Sequence, residues 1–282
     1  MISDYKLARK VILPRQKETH KGSYGRLLLI GGLAPYGGAI IMAALAALKS
    51  GAGLITVATD QTNISALHSH LPEAMAFSVD DKQLLLAQLE AADLVLIGPG
   101  LSENSTAHSL FELVVSHIKG HQLLLVDGSA LTIAAQKEYS FQHLATPVIL
   151  TPHQKEWERL SGLTIERQTV TNNQKALQQF PQGTILVAKS SATKLYQDEL
   201  IYELIVGGPY QATGGMGDTL AGMIAAMAVQ FKQVDLFDRV ACATYLHSAI
   251  ADQLAQEAYV VLPTAISEEI PKWMKAISEA DE

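Results

Sequence analysis

The stretch Ala212-Thr213-Gly214-Gly215-Met216-Gly217-Asp218-Thr219-Leu220-Ala221-Gly222 sets four glycines and one acid ahead of the apolar residues Met223, Ile224 and Met227. Leu220, Met223, Ile224 and Met227 follow the i, i+3, i+4, i+7 spacing of one helix face, predicting a helix from Asp218 to about Phe231. The glycines therefore fall at a helix N-terminus, where unpaired N–H groups and the positive end of the dipole favour an anion. An aspartate at the first helical position can serve as a plain cap. A cap needs no glycines, however, whereas close approach of backbone to a ligand does. Both features suit a phosphate cradle, Gly214, Gly215, Met216 and Gly217, with a base, Asp218, built into it.

Other polar or glycine-rich motifs fall at the ends of predicted strands, and those strands must position them. Arg26 to Ile30 reads as a buried strand ending at Gly31-Gly32, and Gly37-Gly38-Ala39 opens an alanine-rich helix to about Ser50. Leu54 to Ala58 is a second strand, completing a parallel strand–helix–strand unit. Asp93 to Ile97 ends at Gly98-Pro99-Gly100 and precedes a helix from about Asn104 to Ile118. Leu123 to Val126 ends at Asp127-Gly128, Pro147 to Leu150 at Thr151-Pro152-His153, and Thr184 to Ala188 at Lys189. Thr193 to Tyr196 and Leu200 to Val206 read as an antiparallel hairpin. Helices from Asp218 to about Phe231 and Leu236 to about Ala258 follow, and a segment from Ser267 is apolar at helical spacing. Asp4, Lys6 and the tail Glu279-Ala280-Asp281-Glu282 read as solvated termini. The pattern predicts an α/β fold with helices on both faces of a mainly parallel sheet, whose ligands bind beyond the carboxyl ends of the strands.

At 282 residues, 48% of them hydrophobic and 17% charged, the chain builds a sizeable core easily. A formal net charge of −7 argues against nucleic-acid partners, so an anion site must be local. Cys242 is the only cysteine, which excludes a disulfide framework and a thiolate metal cluster. Residues 1–19 lack the apolar core of a secretory signal, and the near-apolar run from Gly37 to Leu48 is too short for a bilayer. A soluble cytoplasmic protein with no membrane partner is expected. Gly32 and Gly37 have P-loop spacing, but Gly38-Ala39 stands where Lys-Ser/Thr is required, and no Gly-x-Gly-x-x-Gly follows the first strand.

Four pieces stand in order: Lys21-Gly22-Ser23-Tyr24-Gly25 through Gly31-Gly32 and Tyr36-Gly37-Gly38-Ala39 to Ser50-Gly51-Ala52-Gly53-Leu54; Gly98-Pro99-Gly100-Leu101; Leu150-Thr151-Pro152-His153 with Glu156; and Gly214 to Gly222. Together they resemble the NAD(P)H-hydrate dehydratase family of the ribokinase-like superfamily, over nearly the whole chain. The resemblance implies a ribokinase-like three-layer α/β fold in a single domain, 1–282, without the epimerase domain fused to some members. It implies a hydro-lyase of metabolite repair, which restores hydrated NADH or NADPH with ADP, or in other members ATP, as phosphoryl donor. Asp218 is then the catalytic base and touches substrate, as do Ala39, Gly100 and His153. Lys189, Ser190, Ser191, Ala192 and Thr193 match the family's nucleotide-binding Lys-Gly-x-x-Thr, and Gly217 a further nucleotide contact. Glu156 matches the acid that organises Mg²⁺ through water, and a homotetramer is implied.

Two positions depart from the pattern. Ser190 stands where glycine is usual, a weakness if that glycine needs positive φ, and Met216 stands where a smaller residue is commoner. Asp127 suits either a cap for the helix beginning near Ser129 or a role beside phosphate or metal. The nearest rival reading is a small-molecule kinase of the same superfamily, acting on a hydroxymethyl-pyrimidine, a thiazole alcohol or a sugar. His153 favours the dehydratase, because those kinases tend to carry asparagine before x-x-Glu. A non-catalytic nucleotide sensor is a further alternative, disfavoured because a pure binder gains nothing from a carboxylate beside a phosphate.

Overall fold

Leu27 and Leu29 of the first strand, β1 (Arg26–Ile30), enter one buried cluster, and Leu28 and Ile30 enter another on the opposite face. A strand apolar on both faces needs cover on both. The computed structural model, which describes residues 4–280, shows how the chain supplies it. In chain order the elements are α1 (Asp4–Val11), β1, α2 (Gly37–Lys49), β2 (Leu54–Thr59), α3 (Ile64–His70), β3 (Met75–Ser78), α4 (Lys82–Ala91), β4 (Leu94–Ile97), α5 (Ser105–His117), β5 (Leu123–Val126) and α6 (Gly128–Gln136). There follow β6 (Val148–Leu150), α7 (Gln154–Ser161), α8 (Val170–Leu177), β7 (Ile185–Ala188), β8 (Lys194–Gln197), β9 (Leu200–Glu203), α9 (Met216–Val229), α10 (Leu236–Leu254) and α11 (Pro263–Glu279).

The strands form one nine-stranded sheet in the order β3-β2-β1-β4-β5-β6-β7-β8-β9. Pairing is parallel from β3 to β7, whereas β8 runs antiparallel to both β7 and β9. Residues of α2, α9, α10 and α11 fill one face, and residues of α4, α5, α6 and α8 the other. The order reverses between β1 and β4, which opens a crevice above their carboxyl ends. This is the three-layer ribokinase-like arrangement, hairpin included.

Several boundaries depart from the sequence reading, each for a local reason. Helix α9 begins at Met216, two residues early, because Gly215 at φ 95 takes the cap position; Asp218 is its third residue, not its first. Helix α11 begins at Pro263, where a ring without an N–H suits a first helical turn. Strand β3 went unread because only Phe77 of its four residues is buried at the sheet edge. Asp4 is not a solvated terminus: α1 docks through Leu7, Ala8 and Val11, and the Asp4 Oδ2 atom is buried beside Tyr202. Asp281 and Glu282 of the acidic tail lie outside the described residues.

Helices α2 and α9 carry the two sides of the crevice and cross at a glycine. A Cβ on Gly222 would stand 2.0 Å from the Ala43 carbonyl oxygen. Gly222→Ala is therefore expected to lower unfolding stability by about 1–3 kcal/mol through forced separation of the helices. Urea unfolding with unchanged m-value checks it; an unshifted midpoint would show that the crossing gives way freely.

Candidate active site

The carboxyl ends of β5, β6 and β7 deliver Asp127, Thr151 to His153 and Lys189 to one place. Asp127 occupies the cap position of α6 but forms no cap bond. Instead, almost fully buried, its Oδ1 accepts from Lys189 Nζ at 2.9 Å and from Thr151 Oγ1 at 2.6 Å. The open choice over Asp127 thus resolves away from capping and toward holding a lysine. The Lys189 backbone is fixed as well: its N–H donates to the Pro152 carbonyl at 2.9 Å, and it bridges His153 in parallel register beyond the strand ends.

The start of α9 lies against that ammonium, since a Cβ on Gly217 would come 3.1 Å from Lys189 Nζ. Burial disfavours the charged lysine, but the carboxylates of Asp127, Glu156 and Asp218 outweigh it and raise its pKa, so Lys189 stays cationic. Asp218, half-buried in the first turn of α9, is engaged by no described hydrogen bond. Burial, then the neighbouring Asp127 charge, push its carboxyl up to about 6, against the pull of Lys189. A carboxylate with unengaged lone pairs and a raised affinity for protons is equipped as a base.

His153 and Glu156 have a local task that sequence spacing left open. His153 Nδ1 accepts from the backbone N–H groups of Lys155 and Glu156 at 3.1 and 3.2 Å, and Glu156 Oε2 accepts from the His153 N–H at 2.7 Å. The pair is a capping box for α7. It also assigns the proton to His153 Nε2, 3.4 Å from Glu156 Oε1. Burial, with Lys189 and Arg159 nearby, lowers the His153 pKa and keeps the ring neutral, yet the side chain is 57% exposed and open to a ligand. Burial pushes Glu156 up to about 7. Among the described residues no three acidic, histidine or cysteine side chains converge on one metal position.

The loop after β7 is tied by its own side chains. Ser190 N–H donates to Thr193 Oγ1 (3.2 Å), Thr193 Oγ1 to the Ser190 carbonyl (3.1 Å), and Ala192 N–H to Ser190 Oγ (3.1 Å). Ser190 does not have positive φ, so its backbone is unstrained and its hydroxyl adds a bond that glycine could not make. Ser191 and Ala192 are exposed beside it. Met216 packs half-buried against the core, while a Cβ on Gly214 would meet nothing.

On the other side, Gly100 at φ 62 lies against Ala39, their Cβ positions 3.0 Å apart. One turn along α2, the Met42 sulfur would stand 2.4 Å from a Cβ on Gly215, which couples the Ala39 side of the crevice to the glycine-rich loop. His247 of α10 escaped sequence reading, since a lone histidine inside an apolar helix gives no signal. It is buried, and burial lowers its pKa to about 4, with Lys189 acting in the same direction against a bond to the Met216 backbone.

A mainly parallel sheet covered on both faces, with an aspartate at a glycine-rich helix start near a half-buried lysine, is the ribokinase-like arrangement. The model of one such family, described as NAD(P)H-hydrate dehydratase, matches residues 27–272. The chain belongs to the NAD(P)H-hydrate dehydratase family. It is 60% identical to the ADP-dependent (S)-NAD(P)H-hydrate dehydratase of Streptococcus pneumoniae, over 98% of this chain and 95% of that one. A ribokinase-like superfamily protein from Enterococcus faecalis superposes with a TM-score of 0.93 at 43% identity, covering 98% of this chain and 95% of the other. The ADP/ATP-dependent NAD(P)H-hydrate dehydratase from Bacillus subtilis, co-crystallized with ATP/Mg²⁺, superposes at 0.83 with 26% identity, covering 98% and 97%.

Proposed function

We propose that this chain removes water from hydrated NADH and NADPH, using ADP as phosphoryl donor, with Asp218 as the base. The observation that carries the reading is the Asp218 carboxylate: half-buried, engaged by no described hydrogen bond, at the glycine-rich start of α9 and within the influence of the Lys189 charge. Asp218 takes the proton of the substrate hydroxyl as that oxygen bonds to the terminal phosphorus of ADP and the bond to AMP breaks. The carbon–oxygen bond then breaks with inorganic phosphate as leaving group, a neighbouring C–H proton is lost, and the ring double bond is restored. Water's pKa of about 15.7 against about 6 for phosphate bounds the leaving-group advantage at roughly 13 kcal/mol. That difference supplies the reason for consuming a nucleotide.

Gly214, Gly215, Met216 and Gly217 present backbone donors to the transferring group, and Lys189 adds a fixed positive charge. Ser190 to Thr193 and Gly217 hold the nucleotide, while Ala39, Gly100 and His153 border the nicotinamide end of the substrate. Glu156 suits Mg²⁺ bound through water, because a hard cation arriving with phosphates keeps most of its waters and favours a desolvated carboxylate oxygen such as Oε1. Bound there, such an ion would supply charge neutralisation on the phosphates. Exposed Ile205, Tyr259, Val260 and Leu262 support a homo-oligomer, a homotetramer by resemblance. No described helix is long and apolar enough to cross a membrane, and the proposed substrates fit the cytoplasm.

The test mixes the protein with chemically hydrated NADH, Mg²⁺ and ADP or ATP and follows recovery of reduced-nicotinamide absorbance. Recovery with ADP is expected; turnover of a pyrimidine or thiazole alcohol in its place would return the chain to the kinases. A base must be ionised to act, so kcat/KM is expected to fall as pH drops through an apparent value of about 6, set by Asp218 within its coupled cluster. A profile flat from pH 5 to about 8 would remove Asp218 as the base.

A further inference from the structure

The loop from Lys189 to Thr193 and Gly217 takes the phosphoryl donor on one side of Asp218. With the nicotinamide end of the substrate at Asp218, its nucleotide end must leave on the other side, past Gly100 and Ala39 and over the ends of β1 and β2. A cavity of about 310 Å³ lies there, walled by Gly32, Ala34, Gly37, Gly38, Asp60 and Asn63. We propose that this cavity receives the adenosine ribose of the hydrated dinucleotide, and that Asp60 makes the enzyme favour hydrated NADH over hydrated NADPH. The inference rests on the dehydratase reading and names the half of the substrate that reading leaves unplaced.

The cavity is a built feature. Thr59 Oγ1 donates to the Gly32 carbonyl at 3.0 Å, while Asn63 Nδ2 donates to Thr59 Oγ1 at 3.1 Å and to the Gly37 carbonyl at 3.2 Å, locking two walls together. A Cβ on Gly37 would strike Asn63 Oδ1 at 2.4 Å, whereas one on Gly38 would meet nothing, so the backbone at the start of α2 is open to a ligand. Asp60 directly follows β2. Its Oδ1 accepts from the N–H and hydroxyl of Thr62 at 2.8 and 2.7 Å, bonds that lower its pKa and keep it ionised. No lysine or arginine lines the cavity.

A carboxylate without a neighbouring cation accepts a hydrogen bond from a ribose 2′-hydroxyl and repels a 2′-phosphate of charge about −1.5 to −2. Dinucleotide folds with the strand order 3-2-1-4-5 place an acid near the same point, after the second strand, against the 2′-hydroxyl. The sheet here has that order in its first five strands, without the glycine fingerprint of those folds.

The test measures KM for hydrated NADH and hydrated NADPH at saturating ADP, and binding of NADH and NADPH by equilibrium dialysis. Wild type and Asp60→Asn are compared; the asparagine can still cap Thr62. About a tenfold lower KM for hydrated NADH is expected. In the variant the two KM values should move in opposite directions, up for hydrated NADH and down for hydrated NADPH. Equal KM values in the wild type, or parallel movement in the variant, would overturn the assignment, since a structural role moves both alike. If neither hydrate turns over, dialysis decides: tighter NADH binding that Asp60→Asn abolishes upholds the pocket while the dehydratase reading falls, and equal binding overturns the pocket too.

Discussion

Asp218→Asn is expected to lower kcat by about 10²–10⁴-fold, to leave the dissociation constant for ADP nearly unchanged, and to raise the melting temperature. The first two effects follow from the geometry. Asparagine matches the shape of aspartate and keeps the helix start, so the N–H groups of Gly215 to Gly217 and the Lys189 ammonium still meet phosphate, but no proton acceptor remains for the substrate hydroxyl. The third follows from the cost of keeping the base. The folded-state value of about 6 lies above the ordinary 3.8, so ionisation of Asp218 opposes folding even with Lys189 nearby. Below the ordinary value the carboxyl is neutral in both states and the cost vanishes; it grows between there and about 6 and is constant above. The variant should therefore gain on the wild type as pH rises across that window, by something on the order of 1–2 kcal/mol once partial solvent access is discounted. A variant less stable at pH 8 than the wild type, or one that turns over normally, would show Asp218 to be a structural acid.

The same residue shows what sequence could and could not convey. The glycines, the acid and the helix face of α9 are local, so a glycine-rich helix start carrying an acid was legible from Gly214 to Met227. The strand ends were legible too, because strands apolar on both faces stand out as unbroken runs such as Arg26 to Ile30 and Leu123 to Val126. The partner of Asp127 was not. Lys189 is 62 residues away in the chain, and only the adjacency of β5, β6 and β7 brings the two together. The capping box between His153 and Glu156 was hidden differently: a histidine accepting at Nδ1 is an uncommon cap, so the pairing within His-x-x-Glu gave no signal. Strand β3 and helix α1 were missed for want of a strong pattern, β3 because an edge strand buries little and α1 because its docking face spans only Leu7, Ala8 and Val11.

Lys189→Ala is expected to damage stability and nucleotide binding together, and a second substitution separates the two. Asp127 is almost fully buried, and without Lys189 its carboxylate keeps, among the described residues, the Thr151 hydroxyl as its side-chain donor. An unpaired buried charge of this kind costs about 3–5 kcal/mol, less whatever protonation of Asp127 relieves. The double variant Asp127→Asn/Lys189→Met removes both charges and should recover most of the lost stability, because replacing a buried pair by neutral groups of similar size is often close to neutral. It should not recover ADP binding, since no cation is left beside Gly217. Thermal unfolding and ADP titration of the wild type, single and double variants check the two effects separately. If the double variant binds ADP as the wild type does, the ammonium serves the fold alone. If Lys189→Ala is as stable as the wild type, Asp127 is not held by the pair, and the task of Lys189 lies with the nucleotide only.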